Sequence, residues 1–237
     1  MSSSESALAP APTPESSGPS TVYQGPVATA TVVVGGQPIH LVRPADPDRL
    51  LDAPDVAEWN RRDDYMPYWA YLWPGAFLLA EAVAREPWPA DAAALEIGCG
   101  LGLAGLAALT RGVKVTFSDY DGTPLDFAGR SARANGVSDD RFGLLRLDWR
   151  SLPDLQFPYI LGADVLYERP LVPLVAGVLA RMLAPGGTAL IAGPYRVASE
   201  DFPAELARRG LTFESSPVHA ESAELGPVRG TLYRVRQ

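Results

Sequence analysis

Residues 93 to 105, Ala-Ala-Leu-Glu-Ile-Gly-Cys-Gly-Leu-Gly-Leu-Ala-Gly, constrain this chain more than any other stretch. The apolar run Ala93 to Ile97 predicts a buried parallel strand. It breaks at Gly98, Gly100 and Gly102 and passes directly into an apolar helix. Glycines at such a turn let backbone N–H groups and the positive end of a helix approach a ligand that Cβ atoms would hold away.

A strand of this kind needs parallel neighbours and covering helices, and the following sequence supplies both. Helix Leu103 to Arg111 ends at Gly112, and strand Lys114 to Ser118 runs to Asp119. Thr123-Pro124-Leu-Asp126 opens a further helix, with Thr at the N-cap, Pro at N1 and Asp at N3, and Asn135-Gly136 closes it. Strand Gly143 to Leu147 leads into Asp148-Trp149, and strand Tyr159 to Ala163 into Asp164-Val-Leu-Tyr167. A helical stripe from Leu171 to Met182 stops at Pro185-Gly186-Gly187. Strand Thr188 to Ala192, helix Ser199 to Arg209 and strands Leu211 to Ser215 and Thr231 to Val235 complete the chain. The expected fold is therefore α/β, a mostly parallel Rossmann-like sheet with an antiparallel edge hairpin.

Upstream, residues 1 to 20 are rich in Ser, Pro and Ala and read as a disordered tail. Residues 21 to 90 read as a β-hairpin turning at Gly35-Gly36 and a helix (Phe77 to Val83) behind an aromatic stretch, packed on a domain of residues 91 to 237. That stretch, Met66-Pro-Tyr-Trp-Ala-Tyr-Leu-Trp73, serves packing in part and is also suited to be the wall of a binding site.

The formal charge is −8, and no cluster of basic residues suggests phosphate contacts, so nucleic acid is not expected as a partner. No apolar run approaches the roughly 20 residues of a membrane span, and the first residues lack the pattern of a signal peptide. A monomer in the cytoplasm is the expectation. Cys99 is the only cysteine, which excludes an internal disulfide and a multi-cysteine zinc site. His40 and His219 stand alone, so no metal is expected.

Two ligands compete for the glycine loop. Gly100-Leu-Gly102-Leu-Ala-Gly105 has the form G-x-G-x-x-G, with Asp119 at the distance expected for an acid on an NAD ribose. The loop is also Glu96-x-Gly98-x-Gly100-x-Gly102, which resembles motif I of the class I S-adenosylmethionine (SAM) methyltransferases. A carboxylate at Glu96 would repel a pyrophosphate and attract the ammonium and sulfonium of SAM, so charge favours SAM.

Glycine loop, aromatic stretch and strand-end acids together resemble methyltransferase family 16, the seven-strand enzymes related to the electron-transfer-flavoprotein β-subunit lysine methyltransferase. The resemblance covers about residues 28 to 235. It rests on Pro67-Tyr-Trp-Ala-Tyr-Leu-Trp73-Pro-Gly75, Glu96 to Gly102, Asp119, Leu147-Asp148-Trp149 and Asp164-Val-Leu-Tyr167. It implies SAM as cofactor, held by Trp73, Glu96, Gly98, Gly100, Gly102, Asp119, Asp148, Trp149 and Ala163. It places Asp164 and Tyr167 at the acceptor, a lysine of another protein, with Asp164 positioning the amine. Gly193-Pro-Tyr-Arg196 matches only part of the Gly-Asp-Pro-Gly-Arg of the flavoprotein enzymes, which leaves the particular acceptor open. Methylation of a small-molecule amine, a non-catalytic SAM-binding module and a nicotinamide dehydrogenase are the competing readings.

Overall fold

A computed structural model describes residues 23–237, so the Ser/Pro/Ala-rich tail lies outside the described residues. Strands β1 (Val27–Val34) and β2 (Gln37–Pro44) form a separate antiparallel hairpin. It turns at Gly35 and Gly36, both at positive φ as a two-residue hairpin turn requires. Helices α1 (Pro54–Asp63) and α2 (Pro74–Arg85) follow. The second half alternates β3 (Ala93–Ile97), α3 (Leu103–Thr110), β4 (Lys114–Asp119), α4 (Gly122–Ala134), β5 (Phe142–Arg146), β6 (Phe157–Ala163), α5 (Leu171–Met182), β7 (Leu183–Gly193), α6 (Phe202–Arg208), β8 (Thr212–Ser222) and β9 (Gly226–Arg236).

The strands after the hairpin form one seven-stranded sheet in the order β5-β4-β3-β6-β7-β9-β8. All neighbours are parallel except β9, which runs antiparallel to both β7 and β8. Winding goes outward from β3 through β4 to β5, then crosses back to β6 on the other side of β3. The switch point therefore lies between β3 and β6, where a ligand crevice opens at the carboxyl ends of the strands.

Strand alternation divides the core between two helical layers. Leu95, Ile97, Ile160 and Ile191 pack with α5 and α6, while Ala94, Leu161 and Leu190 pack with α2, α3, α4 and the hairpin. The hairpin is pinned to α4 by polar contacts as well. The N–H of Val42 donates to Ser131 Oγ (2.9 Å) and that of His40 to Asn135 Oδ1 (2.8 Å).

Three local expectations change. Helix α4 begins two residues earlier than Thr123 suggests, because Asp121 Oδ1 accepts the Thr123 N–H (2.9 Å) and Asp121 is the N-cap. Helix α1 has no signature in sequence, since Val56 is its one buried residue and no apolar stripe marks it. The edge strand β8 and its neighbour β9 run to 11 residues each because they pair with one another along their whole length, whatever their polarity.

Candidate active site

Above the switch point lies a cavity of about 540 Å³, within the range of small-molecule and cofactor sites. Its lining includes Trp73, Glu96, Gly98, Gly100, Gly102, Asp119, Asp148, Trp149, Ala163, Asp164 and Tyr167. Residues spread over 95 positions of sequence thus meet in one space, as the strand-end pattern requires.

The glycine loop makes its floor. Gly98, Gly100 and Gly102 all have positive φ, and a Cβ at Gly98 would stand 3.2 Å from the Trp149 ring, which lies against the loop. Asp119 Oδ2 accepts the N–H of Gly100 (2.9 Å) and Oδ1 that of Asp121 (3.2 Å). Burial lifts the Asp119 carboxyl to about 6.

Glu96 does not project freely into the cavity. Its Oε2 accepts the N–H of Gly105 in the first turn of α3 (2.9 Å), and the residue is 2 % exposed. The carboxylate therefore occupies the helix terminus where a dinucleotide pyrophosphate would need free N–H groups, which disfavours NAD for a geometric reason. Burial raises the Glu96 carboxyl from 4.5 to about 8, against the pull of the Gly105 N–H.

That shift has a measurable sign. Between about pH 4.5 and 8 the folded protein keeps a proton that the unfolded chain has released, so stability falls as pH rises through this window, by up to about 1.4 kcal/mol per pH unit. Melting curves of the cofactor-free protein from pH 5.5 to 8.5 are expected to show this decline, and Glu96→Gln to flatten it. An unchanged slope in the variant would mean that another group carries the dependence.

Asp148 lines the cavity, but its carboxylate is already engaged. Its carboxylate accepts from the backbone N–H and Nε of Arg150 (both 2.9 Å), and Arg150 reaches on to Asp63 of α1 (2.8 and 3.1 Å). The Arg150 guanidinium lies over the Tyr120 ring at 4.9 Å, and together with the Tyr120 hydroxyl it holds the Asp63 carboxyl below its ordinary value. This network ties α1 over one end of the cavity, and adjacency of Asp148 and Arg150 was its only sequence signal.

The aromatic stretch divides its labour. Trp69 is 7 % exposed, packs 5.5 Å from Phe127, and donates Nε1–H to Tyr65 (3.1 Å). Trp73 faces the cavity, its Nε1–H donating to the Tyr68 carbonyl (2.8 Å). Tyr68 meets Trp73 and Tyr167 edge-on at 5.8 and 6.0 Å, which gives the cavity a continuous aromatic side. Burial, with Glu168 and Asp119 nearby, raises the Tyr167 phenol to about 12, so it stays neutral.

Asp164 lines the same cavity. Its N–H donates to the Ala192 carbonyl (2.9 Å), the last contact of β6 with β7, and its φ of +53° then turns the chain. Aspartate is among the few residues that tolerate this left-handed conformation, and such outliers gather at functional sites. The N–H of Gly75, at the start of α2, donates to Oδ2, while Arg196 Nη2 lies 3.7 Å from Oδ1. Burial pushes the Asp164 carboxyl up, opposed by the Gly75 N–H and the Arg196 charge.

Among the described residues, two buried side-chain polar atoms lack a hydrogen-bond partner, Asp164 Oδ1 and Arg196 Nε, and both belong to this corner. An acidic, aromatic cavity over a glycine loop, with an unpartnered carboxylate oxygen, fits a cationic cofactor and an amine.

Sheet order, switch-point cavity and glycine loop define a class I methyltransferase fold. A SAM-dependent methyltransferase of Methanosarcina mazei superposes with a TM-score of 0.55 at 14% identity, over 63% of this chain and 94% of that one. The family described as lysine methyltransferase matches residues 71–207, and the chain belongs to it. S-adenosylmethionine is the cofactor of this site. The mouse EEF1A lysine methyltransferase 3 is 28% identical over 148 residues, 56% of this chain and 63% of its own. The rat histone-arginine methyltransferase METTL23 is 35% identical over 113 residues, 44% of this chain and 49% of its own. The chain thus spans less than two thirds of these curated relatives. Among the described residues no helix is long and apolar enough to cross a membrane.

Proposed function

We propose that the protein is a SAM-dependent N-methyltransferase acting on a lysine side chain of another protein. The observation that carries this reading is Asp164, whose Oδ1 has no hydrogen-bond partner, lining the same cavity as the glycine loop and the aromatic side of Tyr68, Trp73 and Tyr167. A fixed carboxylate facing aromatic rings attracts an ammonium group or orients an amine.

When bound, SAM supplies an electrophilic methyl group on a sulfonium. Trp73, Gly98, Gly100, Gly102, Asp119, Trp149 and Ala163 would hold it, with Glu96 and Asp148 shaping the site through α3 and Arg150. Asp164 accepts an N–H of the acceptor and keeps its nitrogen lone pair aimed across the cavity. Alignment of this kind is where well-oriented transfers gain most. The amine must lose a proton first. Desolvation by the aromatic side lowers its pKa, and a neighbouring positive charge lowers it further. Tyr167, held neutral, closes the wall instead of acting as a base. The names of the relatives support a protein acceptor, and that of METTL23 keeps arginine in view as the second reading.

Titration calorimetry with SAM, S-adenosylhomocysteine and NAD tests the cofactor. Binding of the first two and not of NAD is expected. Isotope-labelled SAM incubated with a protein extract, followed by amino-acid analysis of the labelled protein, tests the acceptor. Methyl-lysine supports the proposal, methyl-arginine replaces it with the second reading, and label confined to small amines overturns a protein acceptor.

A further inference from the structure

Beside the main cavity lies a second one of about 160 Å³, bounded by Pro194, Tyr195, Glu200, Pro203 and Tyr233, with Asp164 and Arg196 at its inner end. Those two residues also line the main cavity and stand between the two spaces. Arg196 follows β7 in the segment where the sequence departs from the flavoprotein enzymes, so nothing in the glycine loop or the Asp164-Val-Leu-Tyr167 motif requires it.

The two buried atoms without partners meet at this junction, and they are chemically complementary. Asp164 Oδ1 is an acceptor and Arg196 Nε a donor, yet the pair does not satisfy itself, because the guanidinium approaches Oδ1 through Nη2 at 3.7 Å, too far for a hydrogen bond. Buried polar atoms left open cost free energy and are rare, so a pair of them in the partition between two cavities calls for a ligand that answers both. Such a ligand brings an N–H for the carboxylate and an oxygen acceptor for the guanidinium. A peptide bearing an amine has both, since every residue carries a carbonyl oxygen. The mixed lining of the second cavity, four aromatic or proline faces with Glu200 beside them, suits the side chain next in sequence.

We propose that Arg196 is a specificity-determining residue, whose Nε–H receives a main-chain carbonyl oxygen of the acceptor peptide while the adjoining cavity takes a flanking residue. The inference rests on the proposed N-methyltransferase activity. In the absence of acceptor, the Arg196 charge holds Asp164 in place; with acceptor, it registers the peptide against the carboxylate.

Arg196→Lys keeps a cation near Asp164 and removes the planar Nε–H donor. The probe is a library of peptides capped at both ends with one central lysine and random neighbours, used with labelled SAM, and N-acetyl-lysine as a free carboxylate is the comparison. Melting temperature and SAM affinity, measured alongside, are expected to match the wild type. The acceptor KM of Arg196→Lys on the library is expected to rise about tenfold or more, the loss of one charge-assisted hydrogen bond, with kcat within about threefold. Peptides are expected to be used better than N-acetyl-lysine by the wild type, and this preference to shrink in the variant. Unchanged KM, or a loss confined to kcat, overturns the carbonyl contact and leaves Arg196 as a support for Asp164. A preference for N-acetyl-lysine would assign Nε to a carboxylate and overturn the peptide. Absence of methyl transfer to any amine in the wild type would overturn the proposed activity itself, and the inference with it.

Discussion

Asp164→Asn is expected to lower kcat by about 100- to 1,000-fold while SAM affinity stays within about threefold. Asparagine is nearly isosteric and tolerates the φ of +53° at this position, so the turn after β6 survives. Its amide oxygen still accepts the N–H of Gly75. What disappears is the negative charge and the open acceptor at Oδ1, the atom without a partner. Asp164→Ala is the harsher change, since it also abandons the Gly75 N–H at the start of α2 and places a less tolerant residue at a left-handed φ. Calorimetry with SAM beside steady-state kinetics separates the roles. Equal losses of affinity and turnover in Asp164→Asn would make Asp164 a cofactor residue and refute its assignment to the acceptor.

The same small substitution at two glycines should move stability in opposite directions. A Cβ at Gly105 would collide with Glu96 Oε2, come within 2.5 Å of Phe117 Cε1 and lie 3.0 Å from Val115 Cγ1. Phe117 is fully buried and Glu96 is held by the Gly105 N–H itself, so neither can yield. Ala gains about 1 kcal/mol over Gly in helix propensity, but overpacking a tight core costs about 1–3 kcal/mol or more, and the loss of the carboxylate contact adds to it. Gly105→Ala should therefore lower Tm by about 5 °C or more. Gly177, mid-helix in α5, has only Arg209 Nε at 4.0 Å near its missing Cβ. Gly177→Ala should raise Tm by about 2 °C through propensity alone. Parallel melting curves decide, and a neutral Gly105→Ala would mean that β3 and α3 are less tightly packed than their geometry implies.

This contrast bears on how the glycine loop is read. Gly105 completes the formal G-x-G-x-x-G, and its task is close helix–strand packing, which a dinucleotide site and a methyltransferase site share. Discrimination comes from Glu96, as the sequence suggested, but by a second route. The Glu96 side chain excludes a pyrophosphate by filling the N-terminus of α3, and because burial lifts its pKa to about 8 it is largely protonated at neutral pH, so position rather than charge does the excluding.

Legibility was uneven elsewhere for physical reasons. β3 and α3 announce themselves as unbroken apolar runs, since both are buried all round, and α4 and α5 by the period of one apolar face. Helix α1 buries little and was silent. Among the aromatics, composition marked the stretch from Tyr68 to Trp73, and only packing separated Trp69, a buried core residue that backs the cavity, from Trp73, exposed at it.

The sequence by itself determined the α/β order, the glycine turn and the acids at the strand ends. Local spacing and hydrophobic period encode those, and parallel winding then brings strand ends together at the switch point. Tertiary structure alone decided the partner of each acid. Glu96 turned to Gly105, Asp148 to Arg150, and Asp164 to Gly75, 89 residues away, and Arg196. An acid takes whichever donors packing brings within reach, two residues along the chain for Asp148, nine for Glu96 and 89 for Asp164, and the last of these no local pattern records.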